Sequence, residues 1–381
     1  MVIGEFCDCY PPHIDGVGTV VSAYARELSR TEECYYIAPK NSSRRFPESK
    51  DSFPVLKFSS LPVPGEAYRL GVPGVDLSFH LDLRKIDFDI VHAHTPFSAG
   101  LEALRQSELR GIPLVGTFHS KYYDDFYKKT KSEVLSKAGV KIIVSFYEKC
   151  DEVWAVNEAT AQVLRDYGYR GDIVIMPNGT NLWYPRPEDA VHAQERFALG
   201  DGPVFLFVGQ QNFKKNTRSI LEAAALYKRQ HGDFRLVCAG QGPDGEAMQD
   251  LARELGLERE TVFTGHIADR QILFSLYARA DLLVFPSLYD NAPMVVREAA
   301  ASGTPSLLIA GSCAAEGVTD GVNGFLCENT PQAICDTMAR ALPRAKAVGE
   351  KARETIPQPW SQIMQTVLER YGALIKKKNK A

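Results

Sequence analysis

The sequence predicts an α/β chain built from two Rossmann-like, doubly wound domains, and three observations carry that expectation. Short apolar runs rich in β-branched and aromatic residues alternate with amphipathic helical spacing along most of the chain. The alternation lapses in Asn181–Pro203, and a fresh strand pattern starts directly after it. At 381 residues the chain is also longer than one ordinary hydrophobic core organises.

In the first half the expected strands are Val2–Phe6, Cys34–Ala38, Ile90–Ala93, Leu114–Phe118, Val153–Val156 and Ile173–Met176. In the second half they are Val204–Val208, Arg235–Ala239, Val262–Thr264, Leu282–Phe285 and Ser306–Ile309. Near-continuous apolar strands suit a parallel sheet covered by helices on both faces. Ser22–Ser29, Arg218–Arg229 and Glu246–Glu254 space their apolar residues as helices do. Trp183, Pro185, Pro187 and the charged residues after them interrupt the periodicity, so the domains are read as 1–182 and 183–355. Residues 356–381 follow as a final helix, Trp360–Lys377, entered after Pro357 and Pro359 and returning to brace the first domain. Two such domains facing each other offer a ligand site where their strand carboxyl ends converge.

Composition narrows the function. With 45% hydrophobic and 24% charged residues and a net charge of −3, the chain is an ordinary globular protein with no electrostatic footprint for nucleic acid. Eight cysteines (Cys7, Cys9, Cys34, Cys150, Cys238, Cys313, Cys327, Cys335) lie scattered and read as reduced core thiols of a cytoplasmic protein. Cys7 and Cys9 point to opposite faces of an extended segment, which makes a poor zinc site. Met1–Tyr10 lacks the basic start and long apolar run of a secretory signal. The most apolar stretch, Val140–Phe146, falls far short of the ~20 residues that span a bilayer.

The chemistry concentrates in loops at strand ends. Asp281–Pro305 runs from an apolar strand through an acidic loop into a helix, with Asp290 in the loop and Glu298 eight residues later on the helix. A helix N-terminus presents free N–H groups to a phosphate, and a carboxylate accepts hydrogen bonds from sugar hydroxyls. A nucleotide-sugar answers to both. Asp15-Gly16-Val17-Gly18 precedes a helix near Thr19, and Gly209-Gln210-Gln211-Asn212-Phe213-Lys214-Lys215-Asn216 follows a strand. The first suits close backbone approach to a ligand, and the second offers a point charge to a phosphate. Taken alone, the first reads rather as an ordinary strand–helix connection and the second as a solvated lysine pair. Ala239-Gly240-Gln241-Gly242-Pro243 and Phe263-Thr264-Gly265-His266-Ile267 form two more tight loops after strands. Val91-His92-Ala93-His94-Thr95-Pro96 and Gly116-Thr117-Phe118-His119-Ser120 put histidines at two strand ends of one sheet, as structural residues or as functional ones.

In this order the motifs resemble the retaining glycosyltransferases of the two-domain GT-B fold, and more narrowly glycosyltransferase family 4. The Pro177-Asn178-Gly179 turn and Asp320-Gly321-Val322-Asn323-Gly324-Phe325-Leu326 complete the set, which covers nearly the whole chain. The resemblance implies roles by position. Glu298 would bind the ribose hydroxyls, Asp290 would lie by the donor sugar, and Lys215 would hold the diphosphate. Met294 and Val295 would offer backbone amides to the phosphate, backbone near Ile267 would contact the base, and Gly16 would let the first domain close over the donor. His119 would contact the sugar and stabilise its developing positive charge.

The chain departs from the family pattern at three places. Gln210 stands where an Arg is usual, with Lys214 in the place of a frequent Glu. Asp290 replaces the longer Glu, and Pro293 replaces a Gly, at what the sequence reads as the first helical position. The resemblance implies transfer of a hexose from a nucleotide-sugar, a UDP-sugar by family frequency, without a metal or other cofactor. Cationic side chains and helix-end amides would stabilise the leaving diphosphate, and that phosphate would itself take the acceptor's proton.

The acceptor is a lipid or a carbohydrate. Lys121–Lys149 carries Tyr122, Tyr123, Phe126 and Tyr127 with Lys121, Lys128, Lys129, Lys131, Lys137, Lys141 and Lys149, diluted by Asp124, Asp125, Glu133 and Glu148. This stretch resembles the membrane-docking face of diacylglycerol glucosyltransferases, and the tail Lys376-Lys377-Lys378-Asn379-Lys380 adds charge. It is equally a solvated helix face. On the lipid reading the protein makes peripheral contact with the inner face of an anionic membrane. Two readings from other classes remain: a catalytically silent nucleotide-sugar-binding subunit, and a sugar-nucleotide epimerase.

Overall fold

The structure is a computed structural model and describes residues 1–10, 16–40, 52–63 and 69–380. It divides into one unit of Met1–Asn178 with Trp360–Ala381 and a second of Gly179–Pro359. Asp15, which opens the first glycine turn, lies outside the described residues.

The first unit is built on β1 (Val2–Phe6), β2 (Glu33–Pro39) and β3 (Val55–Phe58), a small antiparallel hairpin of β4 (Ser60–Pro62) and β5 (Arg69–Gly71), then β6 (Ile90–Ala93), β7 (Leu114–Phe118), β8 (Glu152–Ala155) and β9 (Ile173–Ile175). Seven of these make one parallel sheet in the order β3-β2-β1-β6-β7-β8-β9. Every residue of β6 and β7 is buried, as expected of central strands covered on both faces. Helices end and begin where the chemistry directs. Gly111 closes the helix Ser98–Arg110 at φ +67°, and the Asn157 side chain accepts from the Thr160 amide at 2.8 Å to open Glu158–Asp166. The last helix, Trp360–Lys378, belongs to this unit. It buries Trp360, Ile363, Met364, Val367, Tyr371 and Leu374 along one stripe, and Arg370 forks onto both oxygens of Glu152 at 2.7 Å.

The second unit carries β10 (Val204–Val208), β11 (Arg235–Ala239), β12 (Thr261–Gly265), β13 (Leu282–Val284), β14 (Ser306–Ile309) and β15 (Phe325–Cys327). They form a parallel sheet in the order β12-β11-β10-β13-β14-β15. The segment read as a break holds a helix, Pro187–Arg196. Pro187 takes its first position, Glu188 and Asp189 its first turn, and the Asp189 carboxylate accepts from the Arg186 amide at 2.7 Å. Polar spacing hid it, because only Ala193 is buried along its length.

In each sheet the strand order reverses once, between β1 and β6 in the first unit and between β10 and β13 in the second. Ligands of doubly wound folds gather beyond the strand carboxyl ends at such points. All eight cysteines are free thiols, six of them buried.

Candidate functional site

Beside the reversal point of the second unit, β10, β11 and β12 each run out into a glycine at positive φ, Gly209, Gly240 and Gly265. The Gly209 amide donates to the Ala239 carbonyl at 3.0 Å and the Gly240 amide to the Gly265 carbonyl at 2.9 Å. Gly240 has φ +135°, and a Cβ there would collide with the Gly209 carbonyl oxygen. Beyond β10 the chain makes one 3₁₀ turn, Phe213–Lys215. Asn212 caps it through its side chain on the Lys214 amide at 2.9 Å, and Asp244 accepts from the Phe213 amide at 2.8 Å. Asn216 sits in the left-handed region at φ 62° and ties the loop to the exit of β13 through the Pro286 carbonyl at 3.2 Å.

This anchoring aims Lys215 across the reversal point. Its Nζ meets Asp290 Oδ1 at 2.5 Å, while Ser287 Oγ donates to Asp290 Oδ2 at 2.6 Å. Both side chains are only partly buried, at 16% and 19% exposure, so the pair is within reach of a ligand. The cation and the acid that the sequence assigns to diphosphate and sugar are therefore partners of each other. A diphosphate held by Lys215 must share it with Asp290 or displace it.

The helix Met294–Ala301 starts just past this pair. Pro293 is its N-cap, at φ −65° and ψ 124°, and not its first helical residue as the sequence suggests. The correction has a simple cause: Pro293 has extended ψ, and the first intrahelical bond runs from the Val296 amide to the Pro293 carbonyl at 3.3 Å. The amides of Met294 and Val295 come before that bond, so both belong to the orphan donors of a helix start. Glu298 lies on the same helix and is buried. Arg270 donates to its Oε1 at 2.5 Å, and the Tyr277 hydroxyl to its Oε2 at 3.1 Å. Neither partner was found in the sequence. Arg270 follows the Phe-Thr-Gly loop with no motif of its own, and Tyr277 lies inside the helix Arg270–Arg279, which the sequence reading did not single out.

The remaining second-unit candidates sit on the rim. Gln210 is exposed, and Ile267 is half-buried against the core just after β12. Exposed Lys214 lies over the Tyr289 ring, 4.9 Å from its centroid. In the first unit, Gly16 is exposed at the start of the helix Gly16–Leu28, and among the described residues nothing lies within 4 Å of a Cβ placed there. Gly18 is the packed glycine of that turn, its Cβ position 3.3 Å from Cys9.

The reversal point of the first unit holds a buried ionisable network that the sequence revealed only in part. Strand register puts Glu5 beside His92, and His94 follows two residues on, on the same side. His94 Nε2 meets Glu5 Oε2 at 2.6 Å, and His94 Nδ1 meets His119 Nε2 at 3.1 Å. His92 bonds the Tyr371 hydroxyl through Nδ1 at 2.6 Å and Thr117 Oγ1 through Nε2 at 2.7 Å. The Tyr371 hydroxyl also donates to Glu5 Oε1 at 3.0 Å. Burial disfavours charge throughout: it pushes Glu5 up to about 8, against the Tyr371 hydrogen bond, and pulls His94 down to about 3. His92 is lowered too, by burial first and then by its histidine neighbours. Ligand-type atoms of Glu5, His92 and His94 lie within 4.8 Å of one another, but all four ring nitrogens are already committed to hydrogen bonds. A lone acid in the apolar run of β1 was the available signal for Glu5.

The basic, aromatic stretch forms two helices, Tyr122–Thr130 and Glu133–Tyr147. Tyr127, Val134, Leu135 and Ile142 are exposed on them beside exposed Lys128, Lys129, Lys137 and Lys141. Among the described residues no helix is long and apolar enough to cross a membrane.

Comparison with known proteins agrees with this architecture. Residues 14–184 match the family model "Glycosyltransferase Family 4", and residues 191–355 match "Glycosyl transferases group 1". The chain is 26% identical over 315 residues to alpha-monoglucosyldiacylglycerol synthase of Streptococcus pneumoniae, covering 80% of this chain and 70% of that protein. It is 29% identical over 307 residues to D-inositol 3-phosphate glycosyltransferase of Nocardia farcinica, covering 76% and 67%. The crystal structure of Anabaena HepE in complex with UDP-glucose superposes with a TM-score of 0.80 at 19% identity, covering 98% of this chain and 100% of that one. Two Rossmann-like units of GT-B type, with family models over both, make this chain a member of the group 1 glycosyltransferases of family 4.

Proposed function

We propose that this chain is a retaining, metal-independent glycosyltransferase that moves a hexose from a nucleotide-sugar, a UDP-sugar, to a hydroxyl acceptor. The observation that carries the reading is one reversal point gathering a lysine, two carboxylates and the start of a helix. Lys215 and the Met294 and Val295 amides hold the diphosphate, and Glu298, oriented by Arg270 and Tyr277, accepts from the ribose hydroxyls. Asp290 and His119 serve the donor sugar, Gln210 and Ile267 border the nucleotide, and Gly16 gives the donor close backbone approach. Positive charge for the leaving group comes from side chains and amides, so no metal is required. The UDP and UDP-glucose complexes of HepE support a UDP-sugar donor.

For the acceptor we favour a lipid hydroxyl at an anionic membrane surface. The exposed Val134, Leu135 and Ile142 among lysines suit an interface, and a relative named for a glucosyldiacylglycerol product supports it. The test is UDP release from a panel of sugar nucleotides, with diacylglycerol in anionic vesicles or with soluble sugars as acceptor, in the presence and absence of chelator. Transfer with the anomeric configuration kept, and undiminished by chelator, is the expected result. Tight donor binding with no turnover would replace the reading by that of a silent subunit, and isomerised donor would replace it by an epimerase.

A further inference from the structure

The Glu5–His94–His119 chain has a property that follows from counting its protons. All three side chains are buried, and their bonds run in series: Glu5 Oε2 to His94 Nε2 at 2.6 Å, then His94 Nδ1 to His119 Nε2 at 3.1 Å. A nitrogen–nitrogen hydrogen bond holds one proton, so one ring donates and the other accepts. When the Glu5–His94 bond contains one proton and Glu5 is ionised, that proton is the Nε2–H of His94. His94 Nδ1 is then bare, His119 must donate its Nε2–H to it, and His119 Nδ1 is left as an acceptor. Adding one proton to the pair reverses the order. Whether that proton rests on Glu5 Oε2 or on His94 Nε2, His94 Nδ1 now carries hydrogen and donates to His119 Nε2. The neutral His119 then carries its own proton on Nδ1.

We propose that Glu5 is a positioning residue that acts through His94 to set which ring nitrogen of His119 carries the proton. A change near the carboxyl end of β1 is thereby delivered as a switch between donor and acceptor at His119 Nδ1. The assignment of His119 to the sugar rests on the function proposed above; the relay does not. Among the described residues, other titratable groups face Glu5 from the elements packed on it: Tyr24 from the helix Gly16–Leu28, Cys34 from β2, His92 from β6 and Tyr371 from the last helix. None of these supplies a competing charge: burial and Glu5 itself hold Tyr24, Cys34 and Tyr371 back from becoming anions, and burial holds His92 back from becoming a cation. The pair therefore changes charge as a unit, in the region of the raised Glu5 value of about 8.

Glu5→Gln makes the test sharp. Tyr371 donates to Oε1, so the amide oxygen of the variant belongs there and its NH₂ faces His94 Nε2. The amide copies the protonated acid and locks His119 in the Nδ1–H form. Long-range proton–nitrogen correlation spectra of protein labelled with ¹⁵N-histidine report each ring's tautomer, and a His119→Gln sample assigns the signals. In the wild-type protein, His119 Nε2 should change from a bare to a protonated nitrogen as pH rises through about 8. In Glu5→Gln it should stay bare. A wild-type His119 tautomer that does not change between about pH 7 and pH 9.5, or the same change in Glu5→Gln, overturns the relay. The wild-type titration decides alone if the variant fails to fold. If transfer activity is found, its pH profile should carry an inflection in the same interval that Glu5→Gln removes. A tautomer change without any transfer activity would leave the relay standing and count against the enzyme.

Discussion

The two units share one topology but use its reversal point in opposite ways. In the second unit the reversal joins Lys215 and Asp290, opposite charges that remain partly exposed at 16% and 19%. In the first it joins Glu5 and His94, which are sealed from solvent and held neutral. A pair that solvent still reaches contributes less to stability than a sealed one and is free to exchange its partner for a ligand. A sealed network cannot exchange partners. It stabilises only while every donor and acceptor is matched, and it can transmit a proton shift along its length. Mutations should therefore separate the units: damage to the first appears mainly as lost stability, damage to the second mainly as lost turnover.

The largest effect belongs to Glu5→Ala. It strands His94 Nε2 and the Tyr371 hydroxyl in a dry core and opens a cavity, which should cost roughly 3 kcal/mol or more in chemical denaturation. A loss below about 1 kcal/mol would mean that water satisfies those groups and that the contrast between the units is false. Next comes Lys215→Ala, expected to lower transfer at least about tenfold, near 1.4 kcal/mol of transition-state stabilisation. The same change should move stability by no more than about 1 kcal/mol, because Asp290 keeps Ser287 and solvent. Wild-type turnover in this variant would remove Lys215 from the diphosphate site. Glu298→Ala should lose at least as much activity but also some stability, since Arg270 and Tyr277 lose their acceptor.

How much of this was legible in the sequence depends on distance along the chain. Central strands such as β6, β7 and β10 announce themselves as unbroken apolar runs, and their bounds agree with the structure to within a residue. The edge strands β3 and β15, and the β4–β5 hairpin, are only three or four residues long, too short for their residues to carry a pattern. The loops that the sequence assigns to the donor were visible because their chemistry is contiguous, as in Gly209–Asn216. The partnerships were not. Lys215 finds Asp290 across 75 residues and Glu5 finds His94 across 89, and both meetings depend on strand order and register. Pro293 shows the same limit on a smaller scale: its residue type suits a helix start, but only its ψ shows that it caps the helix without joining it.

A pH series sharpens the comparison at smaller amplitude. Unfolded, Glu5 releases its proton near 4.5 and His94 takes one up near 6.5. Folded, Glu5 keeps its proton up to about 8, so its contribution is intact below 4.5 and is lost as pH rises through about 8. His94 is shifted the other way, to about 3, so its contribution is present above 6.5 and is lost as pH falls through about 3. Around pH 6 the folded and unfolded pair bind nearly the same number of protons, and stability is flat there. Between 6.5 and 8 the folded pair holds more, and stability should fall by about 1 kcal/mol, seen as a lower Tm. Glu5→Gln should flatten that decline, whereas Lys215→Ala should leave it unchanged. A decline of equal slope in Glu5→Gln would assign it to groups outside the network.

The smallest expected change in stability is also the most selective probe of the ligand. Gly16 begins a helix, and among the described residues a Cβ there meets nothing within 4 Å. The described fold thus gives no steric reason for glycine at this position, and Gly16→Ala should keep stability within about 1 kcal/mol of wild type, rising if anything through helix propensity. If the donor approaches this backbone closely, the same methyl group will raise KM for the nucleotide-sugar several-fold while leaving the melting curve in place. Gly240→Ala is the matched control, because there the fold itself forbids the side chain and stability should fall along with activity. An unchanged KM in Gly16→Ala would take that glycine out of the donor site and leave donor recognition to the second unit alone.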